Sequence, residues 1–124
     1  VPLGCLDKIL PNDNRIANFC KANKIIGFHV FELYDQESKL TASCRNFAPL
    51  FGISEESATG SYSGALACYL TEHVALKSDY VFEQGRAMGC TSIITASVTS
   101  DNSTVISVKV GGFASHIGTV VIPV

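Results

Sequence analysis

The chain has 124 residues, a length that suits one domain with a single core. Its formal net charge is -2 and it contains no run of Lys or Arg, which argues against nucleic acid as a partner. Charged residues make up 16% of the chain against 47% hydrophobic residues, and soluble domains average about 25% charged residues. We therefore expect part of the surface to be covered, by a further part of the protein or by a second copy in a homo-oligomer.

The five cysteines are scattered and form no C-x-x-C pair, which is typical of reduced, buried thiols in a cytosolic protein. No stretch approaches the roughly 18 apolar residues of a transmembrane helix, and no basic region marks a signal peptide. Three isolated histidines do not predict a metal site. We expect a cytoplasmic protein that does not enter a membrane. Since the first residue is Val1 and not Met, we also expect that the chain is cut from something longer or has been processed.

The first two predicted elements precede the sheet. Residues 1–10 are apolar, contain Pro2 and Gly4, and are predicted to form a strand or linker that enters the domain from elsewhere. Polar residues at 11–14 predict a helix start, and an amphipathic helix is expected to run to about Asn23 on the outside of a sheet.

Two runs rich in β-forming residues follow, at 25–34 and 39–47. The polar residues 35–38 between them are typical of a turn, so the two runs predict a hairpin. Residues 49–54 are predicted to form a loop that leads into the next helix.

The stretch 55–70, EESATGSYSGALACYL, is predicted to be the central helix of the domain. It is apolar on nearly all sides, which is normal for a buried helix. The first N–H groups of a buried helix need partners, and Thr59, Gly60 and Ser61 at its start favour a small anion such as a carboxylate. The alternative is that the hydroxyl groups cap the helix and nothing binds.

The remaining residues predict strands at 78–84, 91–99 and 104–110, the last two joined as a hairpin by the turn residues 100–103. Residues 113–124 are predicted to return as a final strand. This order predicts an α+β domain in which a curled, mostly antiparallel, mixed sheet or barrel wraps around one buried central helix.

Several short motifs follow one another along the last two thirds of the chain. They are RNFAP at 45–49, GI at 52–53, EESATGS at 55–61, QG at 84–85 with MGCTS at 88–92, and VGGFA at 110–114. In order and spacing this string resembles the phenazine-biosynthesis PhzF-like family, and in particular its C-terminal half. A single glycine motif would be a weak signal, but the whole string is specific.

The resemblance implies an isomerase of two similar halves, each a curled sheet around a central helix as in diaminopimelate epimerase, with the active site in the cleft between them. Residues 1–124 would then be one domain, the C-terminal half, and the N-terminal half would be its partner and carry the main acid/base carboxylate. The resemblance also implies a small carboxylate-bearing substrate, proton transfer without a metal or organic cofactor, and an isolated chain that is inactive. The alternative is a stand-alone, non-catalytic module that binds an anion or a protein.

The same resemblance places the substrate at Thr59, Gly60 and Ser61. Glu56 stands where the family usually has Asp, and is a candidate for a second acid/base group; its alternative is a carboxylate that complements the helix dipole. Thr59 occupies the position of a proton-transferring cysteine in the epimerases, and its hydroxyl is too weak an acid for that work.

Four other side chains are given structural roles. Glu55 is expected to be solvated or to cap the helix, and Arg45 is expected to pair with Glu55 or Glu56. His29 is expected to be a hydrogen-bonded strand residue, and Cys90 an inert thiol.

Overall fold

The structure is a computed structural model that describes residues 1–74, 77–102 and 104–123. It confirms the α+β class. The helices and strands are α1 (Asp13–Asn23), β1 (Phe28–Leu33), β2 (Ala42–Ala48), β3 (Ile53–Glu56), α2 (Gly60–His73), β4 (Asp79–Gln84), β5 (Ser92–Asp101) and β6 (Thr104–Gly112).

The six strands form one mixed sheet in the order β1-β2-β4-β5-β6, with β3 also paired to β2. Among the strands of the described residues, only β2 and β4 run parallel, because α2 carries the chain from one end of the sheet back to the other. Both predicted hairpins are confirmed: Phe31 pairs with Cys44 between β1 and β2, and Ala96 with Val110 between β5 and β6. Of the predicted turn at 100–103, Ser103 lies outside the described residues.

The core lies between α2 and one face of the sheet. Leu66 and Leu70 of α2 pack on Tyr80 and Phe82 of β4, and Phe82 is completely buried. Each such side chain contributes about 1.5–3 kcal/mol by its removal from water. Gly64 lets the helix approach β6 closely, because a Cβ there would lie only 3.1 Å from Cγ2 of Val110.

The central helix is shorter and more exposed than the sequence predicts. It begins at Gly60, because Glu55 and Glu56 belong to β3, where Glu56 pairs with Asn46. Ala65 and Tyr69 of α2 are exposed, and the Tyr69 ring centre lies 6.4 Å from that of Phe31 in β1. The sheet is therefore open, with β1 and β6 at its two edges, and does not close around α2. Strand β3 also replaces part of the loop that was predicted at 49–54.

The prediction of a strand at residues 1–10 is wrong, and this segment contains a short 3₁₀ helix, Leu6–Lys8. Its backbone groups bond to side chains in place of a partner strand. Glu32 accepts from the N–H groups of Gly4 and Leu6 at 2.8 and 3.2 Å. Arg45 donates to the carbonyl oxygens of Leu6 and Ile9 at 3.1 and 2.8 Å. The segment is therefore fixed to the sheet by two buried charged residues.

The predicted final strand is also wrong for residues 113–123, which form no regular element, and Val124 lies outside the described residues. Phe113 and Ile117 are 93% and 99% exposed. An apolar run forms a strand only beside a partner strand, and this segment has none in the part of the chain that the structure describes. The helices of the described residues, α1 and α2, both lack the length and the apolar run that crossing a membrane would need.

Candidate functional site

Thr59 occupies the N-cap position of α2 but does not cap the helix with its side chain. Its hydroxyl donates to Oε2 of Glu56 at 3.0 Å and accepts from Nε2 of Gln84 at 2.9 Å. Thr59 is only 8% exposed. Both hydrogen-bonding roles of this hydroxyl are therefore filled by side chains that precede or follow the helix, and the first backbone N–H groups are left to other partners.

The first turn of α2 is exposed at Gly60 and Ser61. The first backbone bond of the helix runs from the N–H of Ser63 to the carbonyl oxygen of Thr59, at 3.1 Å. Within the described residues, the N–H groups of Gly60, Ser61 and Tyr62 have no protein acceptor. Free donors at the positive end of a helix dipole are suited to an anion.

Gly60 itself is not required for an unusual backbone conformation, since it is absent from the glycines with positive φ. A Cβ added there would meet only Cγ1 of Val110, at 3.6 Å, which is an ordinary contact. A small side chain at Gly60 is therefore compatible with the fold, and a large one would occupy the space next to the free N–H groups.

Glu56 ends β3 and is half-buried. Its Oε2 accepts from Thr59, and its Oε1 has no hydrogen-bond partner among residues 1–74, 77–102 and 104–123. A carboxylate with one oxygen held and one free can accept a proton from a substrate group within hydrogen-bond reach, or return it to that group.

Gln84, at the end of β4, also belongs to this site. From the sequence it was recognised only as part of the QG motif, and no role was predicted for its side chain. It is completely buried, and its Nε2 also donates to the backbone carbonyl oxygen of Glu56 at 2.6 Å. Its Oε1 is buried without a partner in the described part of the chain. An unpaired buried acceptor costs about 1–3 kcal/mol. The fold accepts this cost at Oε1 while Nε2 makes its two hydrogen bonds, to Glu56 and Thr59.

The glycine after Gln84 has a defined structural role. Gly85 has φ of 85°, and a Cβ there would overlap the carbonyl oxygen of Cys90 and lie 2.9 Å from that of Ser57. The glycine thus allows the 85–90 loop to pack directly against the residue that follows Glu56. No larger residue fits without a shift of the backbone.

Arg45 is buried and pairs with Glu55, as expected, and not with Glu56. Its Nε and Nη2 lie 2.8 Å from Oε1 and Oε2 of Glu55, a two-pronged ion pair, and its guanidinium lies 5.0 Å from the ring centre of Phe47. The hydrogen bonds to Glu55 raise the pKa of Arg45, against the effect of burial. The expectation that Glu55 is solvated or caps the helix is wrong, and Glu56 is left free of the arginine.

A second charged cluster, formed by Asp7, Glu32, Glu83 and Arg86, lies on the face of the sheet opposite α2. Arg86 contacts the three carboxylates at 2.8, 3.0 and 2.9 Å. Burial raises the pKa of Glu32, but the bonds from Leu6, Arg86 and Gly4 outweigh it and the pKa is lowered overall. This cluster connects segments that are distant in sequence and is separate from the start of α2.

His29 is only partly hydrogen-bonded. Its Nδ1 lies 3.2 Å from Oδ1 of Asn46, its ring centre lies 5.5 Å from that of Tyr62, and its Nε2 is buried without a partner in the described residues. Burial lowers the pKa of His29, and the bond to Asn46 opposes that shift. The ring therefore favours the neutral form.

In the part of the chain that the structure describes, the thiols and the metal-binding side chains form no second candidate site. All five cysteines are free, Cys90 is exposed, and burial with the nearby charge of Glu83 raises the pKa of Cys44 to about 12. Within the ranges that the structure describes, no three His, Cys, Asp or Glu side chains are grouped in a way that could hold a metal ion.

A sequence profile of the phenazine biosynthesis-like proteins, PhzC-PhzF, matches residues 4–119. The chain belongs to this family. The family membership accounts for the motif string, and three of its residues, Glu56, Thr59 and Gln84, are joined by hydrogen bonds.

Relatives with curated names agree with this assignment. An uncharacterized isomerase of Clostridium acetobutylicum is 33% identical over 117 residues, which are 90% of this chain and 39% of that protein. An uncharacterized isomerase of Schizosaccharomyces pombe is 27% identical over 107 residues, or 82% of this chain and 56% of that protein. The chain thus spans only part of the length of these relatives.

The fold is also similar to that of solved structures. The crystal structure of a PhzF-family phenazine biosynthesis protein from Bacillus anthracis superposes with a TM-score of 0.71 at 18% identity. The match covers 91% of this chain and 44% of that one. At this identity the similarity concerns the fold alone.

Proposed function

We propose that this chain forms one side of the active-site cleft of a PhzF-like isomerase, as the C-terminal half of a two-domain enzyme. The substrate is a small molecule with a carboxylate group, and the reaction moves a proton to or from one of its carbon atoms. No metal ion or organic cofactor takes part.

The observation that carries this proposal is the free Oε1 of Glu56 beside the exposed start of α2. The free N–H groups of Gly60 and Ser61 bind the substrate carboxylate at the helix N-terminus. Glu56 then acts as an acid/base group on the carbon next to that carboxylate. The N-terminal half supplies the main acid/base carboxylate, so two groups can act on opposite sides of the carbon atom.

Two facts support the proposal. The relatives from Clostridium acetobutylicum and Schizosaccharomyces pombe bear the name isomerase and extend beyond the region matched here. The alternative in which hydroxyl groups simply cap α2 is not supported by Thr59, since its hydroxyl is engaged by Glu56 and Gln84.

The test is proton exchange catalysed by the whole protein in D₂O. The probes are small carboxylic acids that carry a C–H bond next to a carbonyl group or a double bond, and deuterium incorporation is followed by NMR. We expect incorporation into at least one probe, and a loss on the order of 100-fold or more in Glu56→Gln. Glu72→Gln, an exposed carboxylate near the end of α2, is the matched control and should exchange at the unaltered rate. Full exchange activity in Glu56→Gln would remove Glu56 from the reaction.

A further inference from the structure

The Gln84 side chain lies between two groups at the start of α2. Its Nε2 is 2.6 Å from the backbone carbonyl oxygen of Glu56 and 2.9 Å from Oγ1 of Thr59. A carbonyl oxygen carries no hydrogen, so the atom that faces it at this distance must be the amide nitrogen and not the amide oxygen. The orientation of the amide is therefore fixed, and Gln84 is the donor to Thr59.

This orientation decides where the hydroxyl proton of Thr59 points. A hydroxyl group has one proton to donate, and Oγ1 of Thr59 already accepts from Gln84. Its own proton is thus directed to Oε2 of Glu56, at 3.0 Å. The three side chains form a directed chain in which Gln84 donates to Thr59 and Thr59 donates to Glu56. Such a bond to a carboxylate is charge-assisted and has a defined direction.

We infer that Gln84 is a positioning residue of the isomerase, which acts through Thr59 to aim the carboxylate of Glu56 at the substrate. The inference rests on the proposed function of Glu56. Because Thr59 holds Oε2, the oxygen that exchanges the proton is Oε1, which has no partner among the residues that the structure describes. Gln84 is completely buried and Thr59 nearly so, and neither side chain needs to touch the substrate.

Four variants of the whole protein test this chain of hydrogen bonds. Gln84→Met and Thr59→Val keep the approximate shapes of the side chains and remove their hydrogen-bonding groups. Thr59→Ser keeps the hydroxyl and is the conservative variant that should restore the wild-type behaviour. Gln36→Met is the control, because Gln36 is exposed in the turn between β1 and β2. If Gln84→Met does not fold, Thr59→Val against Thr59→Ser makes the same test.

The first measurement is the order of the Glu56 carboxylate in crystal structures of the variants, which needs no activity. We expect one position, on the hydroxyl of residue 59, in the wild-type protein, Thr59→Ser and Gln36→Met. In Gln84→Met and Thr59→Val the carboxylate should spread over several rotamers. A single unchanged position of Glu56 in both of those variants would overturn the inference.

The second measurement is the split between kcat and KM for deuterium exchange into the probe acid that the wild-type protein accepts. We expect kcat to fall on the order of 10- to 100-fold in Gln84→Met and Thr59→Val, as for a misplaced catalytic group. KM should stay within about twofold, because the carboxylate-binding peptide groups are unchanged. A rise in KM alone, with kcat unchanged, would contradict the positioning role. If the wild-type protein exchanges no probe, the proposed function fails, and the order of Glu56 still decides whether Gln84 positions it.

Discussion

Both faces of the sheet carry buried side chains, but these are apolar on one face and charged on the other. On the α2 face, apolar side chains such as Phe82 and Leu70 pack in one cluster. On the opposite face, Glu32 and Arg45 are nearly as inaccessible, and they bind the backbone of residues 1–10 or pair with other charges. The apolar face is therefore stabilised by the area it removes from water, and the charged face by specific partners.

The two kinds of burial should respond differently to mutation. Loss of an apolar side chain costs energy in proportion to the volume removed. Loss of one charged partner leaves the other buried and unpaired, whereas loss of both partners is much less harmful. Substitutions on the two faces should therefore differ in how much stability they cost and in how they combine.

The largest effect is expected from Phe82→Ala on the α2 face. Phe82 is completely buried between α2 and the sheet, so truncation leaves a cavity and should lower the free energy of unfolding by about 3–5 kcal/mol. Denaturant unfolding measures the loss, and Phe82→Leu should cost less than half as much. Equal losses in the two variants would mean that cavity volume does not control this face.

On the charged face, Arg86→Met should lower the free energy of unfolding by about 2–3 kcal/mol, since Glu32 then keeps only its backbone donors. The double variant with Glu32→Gln should recover part of the loss. A double-mutant cycle by denaturant unfolding gives the coupling between the two residues. Strictly additive losses would show that the charged face does not depend on pairing.

A third test uses pH. The pKa of His29 is lowered from its ordinary value of 6.5, chiefly by burial. Below pH 6.5 the unfolded chain therefore takes up a proton more readily than the folded chain, and stability that is complete above this pH falls as the pH falls. The pKa of Glu32 is lowered from 4.5, so its contribution is complete above pH 4.5 and is lost below it.

We expect an unfolding free energy that is flat between about pH 7 and 8 and decreases in two stages on acidification. His29→Gln should remove the first stage, and the control His116→Gln, at an exposed position, should retain it. Thermal unfolding scans across the pH range make the measurement. A first stage that persists in His29→Gln would assign it to another group.

The smallest effect is expected at the candidate site, where Gly60→Ala should change the free energy of unfolding by less than about 0.5 kcal/mol. The added Cβ would make only an ordinary contact at 3.6 Å. Gly85→Ala is the matched comparison and should be clearly destabilising, because it meets backbone atoms at a positive φ. Similar stabilities for the two variants would mean that the backbone of the 85–90 loop shifts at little cost in free energy.

The sequence predicted the apolar face well, because its signals are local. Alternating residues at 92–112 and the turn signals between them predict β5 and β6, and the small and apolar residues of 60–73 predict α2. The pairing of Arg45 with Glu55 was also accessible, because the two residues lie ten positions apart across one turn of the chain.

The charged face could not be predicted in the same way. Arg86 and Glu32 lie 54 positions apart, and only the sheet brings them together. Residues 1–10 and 113–123 are apolar like strands, but a strand needs a partner, and local pattern does not reveal whether a partner is present. Gln84 belongs to one of the sequence motifs, but its hydrogen bond to Thr59, 25 positions away, depends on the fold and could not be predicted from the motif.

The proposed function depends first on whether the start of α2 binds a small carboxylate. Benzoate is titrated into the ¹⁵N-labelled protein while the backbone amide signals are recorded. We expect saturable shifts that are largest at Gly60 and Ser61, and their loss in Gly60→Val while that variant remains folded. Shifts at these amides no larger than elsewhere, or an unchanged affinity in folded Gly60→Val, would contradict it.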